Sequence, residues 1–239
     1  MDEARGSGRR VAFFGGSFDP PHLGHLAVAR AACAALRLDA VLFAPVGAQP
    51  LKPAGAAASF EDRLAMTRLA LGEDARFEVS LADAPRASGL PNYTLETLQA
   101  LRGEIEPGGA LFCLMGADAF VGLRSWHGAA EIPFVAPLVV ASRPGQALED
   151  LQAALPGGLS LTAVERDAAP ECEVELRCFE LEGLAGRKAC FYLLPGLDVD
   201  VSASEIRRQV KGAGDGLEVG QELLPDAVAA YIREHGLYR

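Results

Sequence analysis

Residues 15–25 read Gly-Gly-Ser-Phe-Asp-Pro-Pro-His-Leu-Gly-His, directly after the apolar run Val11-Ala-Phe-Phe14. The run has the character of a short buried strand, and the residues after it have the character of a strand-to-helix turn. Gly15 and Gly16 carry no Cβ, so the backbone there can approach a ligand closely. Asp19 before Pro20-Pro21 reads as a helix N-cap with proline at the first helical position. On that reading His22 sits in the first turn, and His25 follows one turn later on the same face. Free backbone N–H groups, the positive end of the helix dipole and two imidazoles then converge on one point, which suits phosphate. The plainer alternative is a good corner with incidental histidines. The chain holds only four histidines, and two of them fall here. The string has neither the G-x-G-x-x-G of a dinucleotide fold nor the G-K-[ST] of a P-loop.

Outward from this turn, short apolar runs alternate with helical patterns, which predicts a parallel sheet flanked by helices, a Rossmann-like α/β fold. Strands are expected at Val11–Phe14, Ala40–Val46, Phe77–Ser80, Ala110–Met115 and Leu138–Ala141, and helices at about Pro21–Leu36, Phe60–Leu71, Tyr93–Leu101 and Ala117–Arg124. Ser59-Phe-Glu-Asp62 has the form of a capping box. Beyond Pro144 the helices drop out: Leu159–Val164, Cys172–Leu181 and Cys190–Leu194 read as strands. Residues of about 146–189 therefore read as a strand-rich insertion. A C-terminal helical segment, about 202–239, follows, with helices at Ser202–Val210 and Pro225–Glu234. The whole chain, 1–239, is read as one domain without internal repeats.

Lys and Arg total 22 against 32 Asp and Glu, a net charge of −10. Such an acidic chain lacks the electrostatic footprint of a nucleic-acid binder, although a local cluster of donors can still hold a small anion. No apolar run reaches the length of a membrane span, and the apolar stretch after the charged N-terminus is too short for a signal-peptide core, which predicts a cytoplasmic protein with no membrane partner. The five cysteines are scattered with no C-x-x-C pair, so zinc-ribbon and dithiol readings fail and no metal ligands are assigned.

The string Gly15–His25 resembles the G-G-x-F-D-P-x-H-x-G-H signature of the nucleotidyltransferase α/β phosphodiesterase superfamily, in the form found in bacterial nicotinate-nucleotide adenylyltransferases. Four further segments carry the likeness. Val201-Ser-Ala-Ser-Glu-Ile-Arg-Arg208 is similar to the I-S-S-T-x-I-R element, while Ser202-x-x-Glu205 is also a capping box. Pro91-Asn-Tyr-Thr-Leu-Glu-Thr-Leu98 is similar to P-x-Y-T-x-x-T-L. Gly116-Ala-Asp-Ala-Phe120 with Trp126-His127 is similar to G-x-D-x-(L/F)…W. Pro50-Leu-Lys-Pro53 resembles P-x-H-K/R, with Leu51 standing where the family often has histidine. The tail around Tyr231, His235 and Tyr238 resembles the closing helix of that branch, and His235 is read as structural.

The resemblance implies AMP transfer from ATP to nicotinate mononucleotide, giving nicotinate adenine dinucleotide and pyrophosphate. It assigns His22, His25 and Arg207 to catalysis. ATP would be held by Gly15, Gly16, Ser17, Phe18, His22, His25, Lys52, Gly116, Asp118, Ser204 and Arg207. Tyr93, Thr94, Trp126 and His127 would hold the pyridine nucleotide, with the single tryptophan as a flat platform for its ring. Mg2+ is expected to arrive with ATP, held by phosphate oxygens and water. A phosphate is already a competent nucleophile, so positioning and charge stabilisation suffice, without a covalent intermediate. Three alternatives stay open: nicotinamide mononucleotide as sole or second acceptor, phosphopantetheine as acceptor, and a non-catalytic nucleotide-binding regulator. Self-association is also left open.

Overall fold

The computed structural model describes residues 8–51, 55–142, 148–164, 174–197, 201–213 and 222–239. Eight strands form one sheet: β1 (Arg10–Gly16), β2 (Ala40–Pro45), β3 (Phe77–Val79), β4 (Ala110–Gly116), β5 (Leu138–Ala141), β6 (Ser160–Val164), β7 (Arg177–Glu182) and β8 (Lys188–Leu194). Their spatial order is β3-β2-β1-β4-β5-β8-β7-β6. The six strands from β3 to β8 run parallel, and β7 and β6 extend that edge antiparallel. The fold is thus a mostly parallel α/β sheet, and residues read as an insertion add its antiparallel edge.

The strand sequences account for this division. β1, β4 and β5 are near-continuous apolar runs, as strands covered on both faces must be. Side chains alternate between faces, so Phe13 enters one core and Ala12 and Phe14 enter the other. β7 alternates instead, with Phe179 and Leu181 buried between Cys178, Glu180 and Glu182, as expected of a strand covered on one side. One face carries α3 (Thr94–Glu104), α4 (Ala117–Val121), α5 (Ile132–Val135) and α6 (Leu148–Ala154); the other carries α1 (Leu23–Leu36). A third cluster joins α2 (Phe60–Leu71), α7 (Ala203–Ala213) and α8 (Asp226–Glu234) through Met66, Ile206, Val210, Val228 and Ile232. The closing helices therefore dock on α2 rather than on the sheet, which carries α7 to the carboxyl end of β1.

Several boundaries differ from the sequence reading. α1 begins at Leu23, not Pro21, and its N-cap is His22, with extended backbone (φ −141°, ψ 169°), not Asp19. A residue before proline is pushed out of the helical region, and two successive prolines delay the first turn. α4 ends at Val121, and a separate 3-10 turn follows at Leu123–Ser125. The short helices α5 and α6 were not foreseen. α5 has four residues, too few to show a period, and α6 lies where only strands were expected. The first residues of the expected strand Cys172–Leu181 lie outside the described residues, and β7 begins at Arg177. Among the described residues, no helix is long and apolar enough to cross a membrane.

Candidate active site

β1 and β4 are neighbours, yet the chain leaves β1 towards β2 on one side and reaches β4 only after β3. Crevices at the carboxyl ends of strands at such a switch point are the natural ligand sites of open α/β sheets. A cavity of about 710 Å³ opens there, walled by the end of β1, the start of α1, the end of β4 with α4, the segment Gly55–Ala57 and the start of α7. Gly15, Gly16, Ser17, Phe18, His22, His25, Gly116, Asp118, Ser204 and Arg207 all line it.

The turn out of β1 has a specific construction. Phe18 is buried with a left-handed backbone (φ +47°), and the Asp19–Pro20 bond is cis. The glycine pair has a packing reason besides ligand access. A Cβ on Gly15 would lie 2.8 Å from the Phe13 ring, and one on Gly16 would lie 3.2 Å from the Phe18 ring. Gly116 is different, since a Cβ there would meet nothing within 4 Å. The Asp19 carboxylate turns inward instead of capping α1. It accepts from Ala57 N (2.6 Å), Ala58 N (3.1 Å) and the Tyr238 hydroxyl (2.8 Å).

The two imidazoles stack at 3.7 Å between centroids, 29° apart in plane. His25 Nδ1 accepts the His22 backbone N–H at 3.2 Å, so in the neutral ring Nε2 carries the proton and is the donor. His22 is buried, and its Nδ1 makes no hydrogen bond to the described residues. Burial pushes the His22 imidazole down to about 4, and burial followed by the charge of His22 holds His25 well below its ordinary value. Both rings are therefore neutral in the ligand-free cleft at neutral pH.

A stability consequence follows for His22. Its folded value lies below its unfolded one, near 6.5, so the unfolded chain binds the extra proton first. The stability it permits is complete above pH ~6.5 and is lost as pH falls towards ~4, by about 3 kcal/mol at the acid end. Denaturant unfolding at pH 7 and at pH 4.5 should register part of this loss, and His22→Asn should flatten it. An unchanged slope in that variant would show that other groups drive it.

Arg207, half-exposed on α7, donates from Nη1 to the Asp19 carbonyl (2.6 Å) and from Nη2 to Ser204 Oγ (3.2 Å). Ser202 Oγ accepts from Glu205 N at 3.1 Å, so a serine N-cap starts the helix that carries Arg207, while the Glu205 carboxylate accepts from Arg208 and Gln209 instead of closing a capping box. Asp118 is exposed in the first turn of α4. Lys52 lies outside the described residues.

Tyr93, Thr94, Trp126 and His127 do not line this cavity. Tyr93 is the N-cap of α3, and its ring meets that of His127 at 4.6 Å between centroids. Trp126 is half-buried and packs against the core beneath α3 and α4. The two groups of residues are linked through Asp83. Its carboxyl accepts the Thr97 hydroxyl on α3 and lies 3.7 Å from where Gly15 would carry a Cβ. Burial pushes this carboxyl up from its ordinary value, the bond to Thr97 opposing it.

Sequence reasoning passed over Asp83 and Arg63, and it placed Tyr238 in the closing tail without a role at the site. Arg63 is 3% exposed, and its Nη1 and Nη2 donate to Ser17 O (2.7 Å) and Val46 O (2.8 Å), clamping the ends of β1 and β2 together. A signal for Arg63 was present. It shares the stripe Arg63, Met66, Thr67, Ala70, Leu71, where an arginine occupies a core position.

Comparisons with known proteins agree with the fold. Residues 13–209 match the cytidylyltransferase-like family. Relatives named "probable nicotinate-nucleotide adenylyltransferase" include one from Solibacter usitatus, 34% identical over 96% of this chain and 99% of its own. Another, from Roseiflexus sp., is 37% identical over 96% and 98%. The fold also matches a Plasmodium falciparum nicotinic acid mononucleotide adenylyltransferase solved with NaAD. The TM-score is 0.67 at 15% identity, over 96% of this chain and 97% of that one. The chain belongs to the cytidylyltransferase-like family and, within it, to the nicotinate-nucleotide adenylyltransferase family of nucleotidyltransferases.

Proposed function

We propose that this chain transfers AMP from ATP to nicotinate mononucleotide, releasing pyrophosphate. The observation that carries the reading is the convergence of His22, His25 and Arg207 on one cavity at the start of α1. That set offers two imidazoles and a guanidinium to phosphate oxygens beside the positive end of the α1 dipole; the N–H groups of His22, Leu23 and His25 are themselves bonded within the chain, contrary to the sequence expectation of free donors there. An oxygen of the acceptor's 5′-phosphate would attack the α-phosphorus of ATP. The bond from that phosphorus to the bridging oxygen breaks, and its electron pair leaves with pyrophosphate. The His25 Nε2–H and Arg207 would stabilise the charge growing on the phosphate oxygens, and no general base is needed. Ser17, Gly116, Asp118 and Ser204 would place the nucleotide.

Among the described residues, no three His, Cys, Asp or Glu side chains are grouped to hold a metal ion. Mg2+ is placed with ATP, on phosphate oxygens and water, and no step is routed through it.

Tyr93, Thr94, Trp126 and His127 would receive the pyridine nucleotide. Losing a ring that stacks on the pyridine costs about 1 to 1.5 kcal/mol, so Trp126→Ala should raise the KM for nicotinate mononucleotide about ten-fold and that for ATP less than about two-fold. Equal changes in both would reduce Trp126 to a packing residue. The test of the whole reading is pyrophosphate release from ATP with nicotinate mononucleotide, run beside nicotinamide mononucleotide. Release with neither would overturn it, and equal release with both would establish dual specificity.

A further inference from the structure

Tyr238 does not line the cavity, yet three pieces of its wall depend on the carboxyl group that Tyr238 holds. Asp19 is 4% exposed, and its carboxylate accepts Tyr238 Oη–H, Ala57 N–H and Ala58 N–H together. Its main-chain oxygen accepts Arg207 Nη1, and the same Nη1 stands 3.9 Å from Asp19 Oδ2. Asp19 thus ties the β1–α1 turn, the Gly55–Ala57 wall and Arg207 to one point.

Tyr238 itself is held in an uncommon conformation. It has φ +65°, a left-handed backbone that a residue with a Cβ adopts only when its surroundings impose it. Leu237 on one side packs into the α2–α7–α8 cluster, and Leu237 N donates to Ile232 O at 3.0 Å. The phenol is pushed well up by burial and by the Asp19 carboxylate, so it remains a hydrogen-bond donor throughout the working range.

We infer that Tyr238 is a positioning residue for ATP: its hydroxyl fixes the Asp19 carboxylate so that Arg207 stays directed at the phosphate site. The physical reason is competition for one guanidinium. Without the Tyr238 donor, Asp19 Oδ1 keeps a single bond, from Ala58 N. The carboxylate is then free to turn towards Arg207, whose Nη1 already stands within 4 Å of Oδ2. An Arg207–Asp19 ion pair withdraws the guanidinium from phosphate and loosens the Ala57 segment at the same time. Nothing in this chain of contacts reaches Tyr93 or Trp126, so the effect belongs to ATP and not to the acceptor.

The inference rests on the cavity being the ATP site. The experiment is ATP binding by calorimetry, with steady-state KM for both substrates, on the full chain and on two variants, Tyr238→Phe and Leu237→Ala. Tyr238→Phe keeps the ring and removes the donor; it should weaken ATP binding about ten-fold, the size of one hydrogen bond to a charged group, and leave the KM for nicotinate mononucleotide within about two-fold. Leu237→Ala removes packing from the same tail. It should lower Tm while leaving ATP affinity within about two-fold. Unchanged ATP affinity in Tyr238→Phe overturns the inference. So does an equal rise in both KM values, or a loss of ATP affinity in Leu237→Ala as large as in Tyr238→Phe. An unsubstituted chain that binds no ATP overturns the functional reading itself, and this inference with it.

Discussion

Replacing His25 with alanine is expected to lower kcat for AMP transfer about 10²- to 10³-fold, with a smaller change in KM for ATP. The size follows from where the ring stands. Its Nδ1 is committed to the His22 backbone N–H, so one donor, Nε2–H, is left for a ligand. The ring is fixed by the His22 ring stacked upon it and by the edge-on Phe18 ring at 4.9 Å. A donor that needs no reorientation is most valuable where charge grows during reaction, which is why the loss should fall on kcat. His25→Asn keeps an amide donor in roughly the same place and should recover part of the rate. Because the two imidazoles touch, His22→Ala combined with His25→Ala should cost less than the sum of the single changes. Steady-state rates of pyrophosphate release decide this, and a His25→Ala kcat within about three-fold of the unsubstituted chain would remove His25 from the transition state.

The second large effect concerns stability. Arg63→Ala is expected to destabilise the fold by about 3–5 kcal/mol, from two carbonyls left unpaired at about 1–3 kcal/mol each together with the packing lost. Two buried carbonyls, Ser17 O and Val46 O, would lose their donors, and the space held by the guanidinium over Phe60 would empty. For a chain of this length each kcal/mol shifts Tm by about 2–4 °C, so a fall of roughly 10 °C is expected. Arg63→Lys should recover only part, because one ammonium cannot span two carbonyls as a planar fork does. Thermal and denaturant unfolding measure both variants; a loss under about 1 kcal/mol for Arg63→Ala would show that water replaces the guanidinium without strain.

The elements most legible in the sequence are those set by neighbours along the chain. The apolar runs of β1, β4 and β5 predict parallel strands because strands covered on both faces cannot alternate. Ser59 and Ser202 predict the starts of α2 and α7 because a capping hydroxyl reaches only three residues ahead, to Asp62 N and Glu205 N. The junction at residues 15–25 is legible as a junction, and its histidines as a pair, for the same reason.

What happens inside that junction was decided elsewhere. Asp19 reads locally as a cap, yet its carboxylate is satisfied by Ala57, Ala58 and Tyr238, and its carbonyl by Arg207, 188 residues away. Arg63 stands on the buried stripe of its helix, but its partners appear only when the ends of β1 and β2 are brought beside it. The sequence by itself determined where the chain turns, which faces are apolar and which residue types gather at the β1–α1 turn. Only the tertiary structure decided which carboxylate is buried, which tautomer His25 takes and which side chains hold Arg207 in place. Those outcomes depend on burial and on partners brought together by sheet order and helix docking, and no local pattern records either.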